Sequence, residues 1–415
     1  MHGGRTHRRR LIAVVAVCAA LAACSGSSDA QKATGSTTTV AADKASATST
    51  PTGASGAGAA VFPGKTWKVE KPAAQGMDAA TLEKARAYAF QKGKNTQGVV
   101  VVHNGVIVSE WYAPGSDKDS WEASWSMAKS FTSALIGIAI HEGKIPSVDV
   151  KMTTYYPDWA QRGLGDVTLR DVLEMSSGLK WNEDYSPGDL KASNVVQMVL
   201  TQRDELAYAA ARPRDVAPHT VFNYTSGGSM LLSGVLQQAT GMSPEAYART
   251  KLLDPIEMSK VDWWRDAEGH TLTYCCVDTT SRDFARFGLL YLNKGKWNGT
   301  QVVPASWVAD SVKGSRVEPE TYGYQWWLEN VDGVPHDLFQ AEGHDGQFIY
   351  VVPSLNLVVV RNGTYVKNAG TPIADPNLFA KYPSGDIVPG QGTAPPDSWD
   401  SAKFLGPIVA SIQKD

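Results

Sequence analysis

The stretch Trp125-Ser126-Met127-Ala128-Lys129-Ser130-Phe131-Thr132 sets a serine three residues ahead of a lysine and continues into small and apolar residues over 133–140. Residues three apart on a helix share a face, so the Ser126 hydroxyl and the Lys129 amine can point into one space. A serine hydroxyl is a poor nucleophile until a neighbour takes its proton. A lysine half-buried among apolar groups loses charge and becomes able to do so. The spacing alone is weak: Ser411 and Lys414 repeat it near the last residue, and Ser126 could equally open a helix as its cap. Its meaning depends on the partners the rest of the chain supplies.

Working outward toward the N-terminus, Arg5, Arg8, Arg9 and Arg10 precede an apolar run over 11–21 that ends in small residues and Cys24. The run is short for a membrane span and has the layout of an export signal. Leu21-Ala22-Ala23-Cys24 resembles a bacterial lipobox, which implies a signal peptide over 1–23, a lipid on Cys24 and a place on the outer face of the membrane. Cleavage nearby by an ordinary signal peptidase is the alternative, and both export the protein. Residues 24–62, almost all Ser, Thr, Ala and Gly, have no apolar period and form a flexible tether. The folded domain is then expected over 63–415, ample for a core.

The formal charge is -3, more acidic once the signal arginines leave, and there is no basic run. Nucleic acid is therefore not an expected partner. Cys18 leaves with the signal and Cys24 carries lipid, so only the adjacent pair Cys275 and Cys276 remains. Neighbouring cysteines rarely bridge, because their Cα atoms lie closer than a disulfide normally spans, and no disulfide is expected. The histidines show no metal-ligand spacing, and no metal or cofactor is expected.

The pattern predicts a helix over 79–91. Two β-branched runs then meet at Asn104-Gly105, a strong hairpin signal. The S-x-x-K helix runs over 126–141 and stops at Gly143. Shorter helices follow over 169–175, 227–240, from Pro244, and over 280–292. Strands return over 348–352 and 355–361, and a helix over 401–412 closes the chain. Strands first, helices in the middle, and strands with a helix last predict an α+β fold. Both chain ends share one antiparallel sheet flanked by helices, with a helical region inserted.

Two further stretches offer partners for Ser126. Phe222-Asn223-Tyr224-Thr225-Ser226-Gly227-Gly228 puts a tyrosine and a serine on a turn before an apolar helix, where a phenol beside an ammonium can relay protons. Gly343-His344-Asp345-Gly346-Gln347 opens a strand, and glycines there let backbone approach a ligand closely, as an oxyanion-binding amide must. In this order, with Tyr224 98 residues after Ser126 and His344 120 after that, the three stretches resemble the penicillin-recognising serine hydrolases. Their signature is S-x-x-K, then Y-x-N or Y-x-S, then K-T-G or H-x-G. Ser176-Ser177-Gly178-Leu179 and the run from Thr280 to Gly288 are similar as well. The resemblance spans about residues 70–412 and implies the β-lactamase/transpeptidase-like fold.

It also implies roles. Ser126 attacks and is acylated, Lys129 takes its proton, and Tyr224 passes a proton to the leaving group. The amides of Ser126 and Gln347 hold the oxyanion. Ser226, His344, Asp345 and Gly346 line the substrate. His344 and Asp345 stand in place of the lysine and threonine of K-T-G, and Asp345 would repel the carboxylate of a β-lactam. The loop Asn182-Glu183-Asp184-Tyr185-Ser186-Pro187-Gly188 is similar to one in nylon-oligomer hydrolases whose tyrosine closes over a linear amide, the place of Tyr185 here. The expected activity is hydrolysis of a small linear amide or ester, as in 6-aminohexanoate-dimer hydrolases and family VIII carboxylesterases. A β-lactamase or D-Ala-D-Ala carboxypeptidase, and a non-catalytic sensor, are the alternatives.

Overall fold

The computed structural model describes residues 60–184, 192–363 and 399–413. Asn104 and Gly105 take φ of 52° and 79°, the left-handed pair that a tight hairpin needs. They join β1 (Thr96–His103) to β2 (Val106–Tyr112). At the other end of the chain β3 (Phe339–Gly343), β4 (Gln347–Val352) and β5 (Leu357–Gly363) follow one another. The five strands make one sheet in the order β2-β1-β5-β4-β3, antiparallel throughout. The first hairpin thus pairs with the last strand, and the expected sharing of one sheet by both chain ends is observed.

Why β1 reads as an unbroken run of valines follows from the layers. Val100 and Val102 face the helical core, while Val99 and Val101 face a second cluster on the opposite side. A sheet covered on both faces has no wet side, so apolar residues do not alternate with polar ones. The second cluster is closed by α1 (Ala79–Ala89) and by the terminal helix Ser401–Ser411, which supply Leu82, Ala85, Phe404, Leu405 and Ile408. Each of these two helices is capped by an aspartate, Asp78 and Asp400, accepting an amide three residues on.

On the other face lie α2 (Ala128–His141), α3 (Ser226–Thr240) and α4 (Ser281–Leu292). Residues 128–139 of α2 are buried all round, as suits a helix at the centre of a large domain. α4 packs on the sheet through Phe284 and Phe287, whose rings meet Phe131 of α2. The helix starts are capped by side chains: Thr168 in a capping box with Asp171, Thr225 for α3, Ser243 before Pro244, and Thr280 for α4. Strand β3 had no signal, because Phe-Gln-Ala-Glu-Gly lacks β-branched residues. It forms on the template that β4 offers, at the edge of the sheet beside the nucleophile turn.

Candidate active site

Ser126 does not cap a helix. Trp125–Met127 form a single 3-10 turn that runs into α2, and this turn carries the serine. Trp125 takes φ of 44°, a left-handed backbone that a bulky residue adopts only when held. Its indole Nε1 donates to Asp345 Oδ2 (3.0 Å), and its carbonyl accepts the Cys276 amide (3.2 Å). One turn on, Lys129 is 1% exposed. Its Nζ lies 2.9 Å from Ser126 Oγ, 3.2 Å from Ser226 Oγ and 2.9 Å from the Tyr274 carbonyl. Burial pulls the amine down to about 8, against the Glu183 carboxylate, which favours the charged form.

Because Thr225 caps α3, Ser226 falls in its first turn and Tyr224 just before it. The Tyr224 ring centroid is 4.8 Å from Lys129 Nζ. The ring stacks on Trp327 (5.5 Å, 22°) and meets Tyr322 edge-on (6.2 Å). The structure thus brings Ser126, Lys129 and Tyr224 together. Ser226, expected against substrate, is instead buried. Its hydroxyl and amide both donate to the Glu183 carboxylate, which also accepts Trp181 Nε1. Ser226 is a link between Lys129 and Glu183. Sequence reasoning passed over Glu183 in favour of Tyr185, which lies outside the described residues. The only available signal was an acid in a turn-like loop, and nothing local says that it folds back onto a helix start 43 residues later.

The expectations for the last motif need correcting. The Gln347 amide donates to the His344 carbonyl and closes the 344–346 turn. Its side chain bonds Gly363 and Asn362, so Gln347 is committed to the turn and is not an oxyanion donor. Asp345 is 3% exposed and braces Trp125, with His344 Nε2 3.6 Å from its carboxylate. Burial raises its pKa. It is a support under the nucleophile turn. Gly346, at φ 72°, lies over Arg361, whose Nη1 donates to the carbonyls of Asp345 and Gly346 (2.8 and 2.6 Å). It is a turn glycine. The His344 ring packs edge-on to Trp125 at 6.0 Å and is nearly buried. The residue that reaches the nucleophile is Gly343, at the end of β3. A Cβ there would lie 2.2 Å from the Ser124 carbonyl and 3.1 Å from the Ser126 amide.

A buried lysine on a serine, with a tyrosine across from it and an edge strand at the serine amide, is the arrangement of an S-x-x-K hydrolase. A family model described as Beta-lactamase matches residues 79–376. The chain belongs to the β-lactamase family. This serine hydrolase is 25% identical over 295 residues to the 6-aminohexanoate-dimer hydrolase of Paenarthrobacter ureafaciens, covering 64% of this chain and 72% of that one. Among solved structures it resembles a Bacillus anthracis protein assigned as a 6-aminohexanoate-dimer hydrolase. There the TM-score is 0.57 and the identity 23%, over 67% of this chain and 76% of that one. It also resembles a D-stereospecific amidohydrolase from Streptomyces sp. (TM-score 0.52, 16% identity, 69% and 93% covered). At these identities the structural matches speak for the fold, and they agree with the expected β-lactamase/transpeptidase-like architecture.

One finding in this β-lactamase-family hydrolase departs from the cysteine expectation, and one cluster of possible metal ligands has another explanation. Cys275 and Cys276 form a disulfide. Cys276 takes φ of 73°, and this left-handed turn lets the two neighbouring side chains meet where an extended or helical backbone would not. Asp204, Asp266 and His270 each bring a ligand atom within 4.8 Å of the others. Asp266, however, already accepts the amides of Glu205, Glu268 and His270, and Asp204 caps a helix through Ala207. That is the work of a loop brace.

Proposed function

We propose that this hydrolase cleaves a small linear amide or ester through an acyl-enzyme on Ser126. The observation that carries the reading is the set of three partners around the Lys129 amine. A neutral amine has two hydrogens and one lone pair. The Tyr274 carbonyl can only accept. Ser226 gives its own hydrogen to Glu183, so it too accepts from Lys129. Both amine hydrogens are then placed, and the lone pair is left to face Ser126 Oγ at 2.9 Å. Lys129 takes the Ser126 proton as Oγ bonds to the substrate carbonyl carbon. The resulting oxyanion is received by the Ser126 amide and by the amide that follows Gly343, that of His344, because Gly343 is the backbone in contact with Ser126. Such donors are worth roughly 10² to 10³ in rate. Tyr224 carries the proton on to the leaving nitrogen or oxygen. Water then hydrolyses the Ser126 ester over the same groups.

For the substrate class, the 6-aminohexanoate-dimer hydrolase relative speaks for a linear amide. The strand that reaches Ser126 carries Ala341, Glu342 and Gly343, none of them a cation to receive an anionic drug. Phe222, Tyr224, Tyr322 and Trp327 form an aromatic wall beside the serine's partners, which suits an uncharged chain.

The test is labelling of Ser126 by a fluorophosphonate, with turnover of a nitrophenyl ester, a 6-aminohexanoate dimer and nitrocefin. Labelled Ser126 with dimer turnover far above nitrocefin turnover supports the proposal. Full ester turnover by Ser126→Ala would sink it, and nitrocefin as the best substrate would return the β-lactamase alternative. We also propose export with a lipid on Cys24, as the lipobox-like sequence implies. Partition of the mature protein into a detergent phase, lost in Cys24→Ala, supports that, and an unmodified N-terminus refutes it.

A further inference from the structure

Residues 273–277 run alongside the nucleophile turn and bond it at four points. Thr132 Oγ1 donates to the Thr273 carbonyl (2.7 Å), and Lys129 Nζ to the Tyr274 carbonyl (2.9 Å). The Cys276 amide donates to the Trp125 carbonyl (3.2 Å), and the Val277 amide to Ser124 Oγ (2.7 Å). As one strand ascends the other descends, so 273–277 is a rail along the turn that carries Ser126 and Lys129. Between the second and third of these points Cys275 faces away, its carbonyl accepting Trp263 Nε1 (3.1 Å). The Cys275–Cys276 disulfide closes this step of the rail. Both cysteines are buried, and Cys276 stands at φ 73°, a left-handed backbone that a residue with a Cβ adopts only when held. The bond to its neighbour holds it there.

We propose that the Cys275–Cys276 disulfide is a positioning group of the active site, holding the Tyr274 carbonyl on Lys129 and the Cys276 amide on Trp125, so that turnover depends on the redox state of the pair. The proposal rests on the acyl-enzyme reading, in which Lys129 is the base. A dithiol donor would open the pair by giving two electrons and two protons. The S–S bond breaks, two S–H bonds form, and the donor leaves as its own disulfide. Released, Cys276 can leave the left-handed region. The points on either side of the opened bond, the Tyr274 carbonyl and the Cys276 amide, then lose their register. Lys129 loses one of the two acceptors that turn its lone pair toward Ser126, and Trp125 loses one of the holds on its own left-handed backbone. A disulfide that only stabilised the fold would change the melting temperature and leave the kinetics of the native protein alone.

The experiment uses the full chain on a nitrophenyl ester, before and after a water-soluble phosphine, with opening of the pair counted by alkylation and mass. We expect kcat to fall by about tenfold to a hundredfold, the loss of a hydrogen bond to a charged group, with KM held. The acid limb of the pH profile moves to higher pH as the loosened lysine gains water. Cys275→Ser/Cys276→Ser shows the same lowered kcat and shifted limb without reductant, and no response to the phosphine. Should that variant fail to fold, Cys275→Ala carries the test, since it removes the bond and leaves at 276 a residue with a Cβ that is free to quit the left-handed region. Its acid limb is expected to lie above that of the oxidised protein. Wild-type kcat and pH profile in protein proven open, or in a folded variant lacking the bond, overturn the proposal. Fluorophosphonate labelling separates the two readings. An unlabelled Ser126 in the oxidised protein counts against the acyl-enzyme, whereas a labelled Ser126 with redox-blind turnover counts against the disulfide role alone.

Discussion

A protonated lysine has no lone pair, so the Lys129 amine can act as a base only above its pKa of about 8. Below that value kcat/KM is expected to rise about tenfold per pH unit and then level, which a pH–rate profile on an uncharged ester checks. A flat profile from mildly acidic to mildly basic pH would remove Lys129 as the base. Glu183 sharpens the test. Its negative charge favours the ammonium, so Glu183→Gln lowers the Lys129 pKa and moves the acid limb to lower pH. Ser226 loses a charged acceptor at the same time, and the plateau kcat falls by about tenfold. An unmoved limb with a normal plateau would show that Glu183 is outside the network.

At the scale of elements, the site is where an edge strand meets a helix start. Gly343 ends β3 in contact with Ser124 and Ser126, and a methyl there has no room beside the Ser124 carbonyl. Gly343→Ala is expected to push the strand off the nucleophile turn. A kcat loss of about a hundredfold follows if one oxyanion donor is displaced, while the fold, read by circular dichroism, persists. Wild-type kcat in Gly343→Ala would refute this place for the oxyanion. The turn after β3 has a different task. Asp345→Ala removes the acceptor of Trp125 Nε1, a half-buried indole, and with it the bond that braces the nucleophile turn. That costs about 1–3 kcal/mol and appears as a lower midpoint in urea. The paired strands and capped helices were legible because each carries its own periodicity and cap. Strand β3 was not, since its pairing comes from β4 and not from its own residues.

The whole molecule is tied where its two ends meet. Arg361 of β5, 1% exposed, donates to the carbonyl of Lys94, to Thr96 Oγ1 at the start of β1, and to the carbonyls of Asp345 and Gly346. Its guanidinium also lies 4.3 Å from the Trp399 ring, just before the terminal helix. One side chain therefore joins both ends of the sheet to the turn under the nucleophile. Arg361→Met strands those buried acceptors and is expected to cost about 3 kcal/mol, measured by denaturant unfolding. A loss of under about 1 kcal/mol would show that the ends are held by the sheet alone. Among the described residues no helix is long and apolar enough to cross a membrane, so the proposed anchoring rests on Cys24.

The chain announced Ser126, Lys129 and Tyr224 in its own order, because S-x-x-K is a one-turn relation and a capped helix places Tyr224 by itself. It also announced the sheet shared by both ends, because runs of β-branched residues and an Asn-Gly turn are local signals. What only the folded molecule decided is who stands next to whom across long separations. The partner of Ser226 is Glu183, the acceptor of Lys129 is the Tyr274 carbonyl, and the backbone at the Ser126 amide is Gly343, with Gln347 closing the turn beyond it. Cys275 and Cys276 join for the same reason, since a left-handed φ held by the surrounding rail is not written in two adjacent letters. Local propensity reads along the chain, and these contacts are made across it.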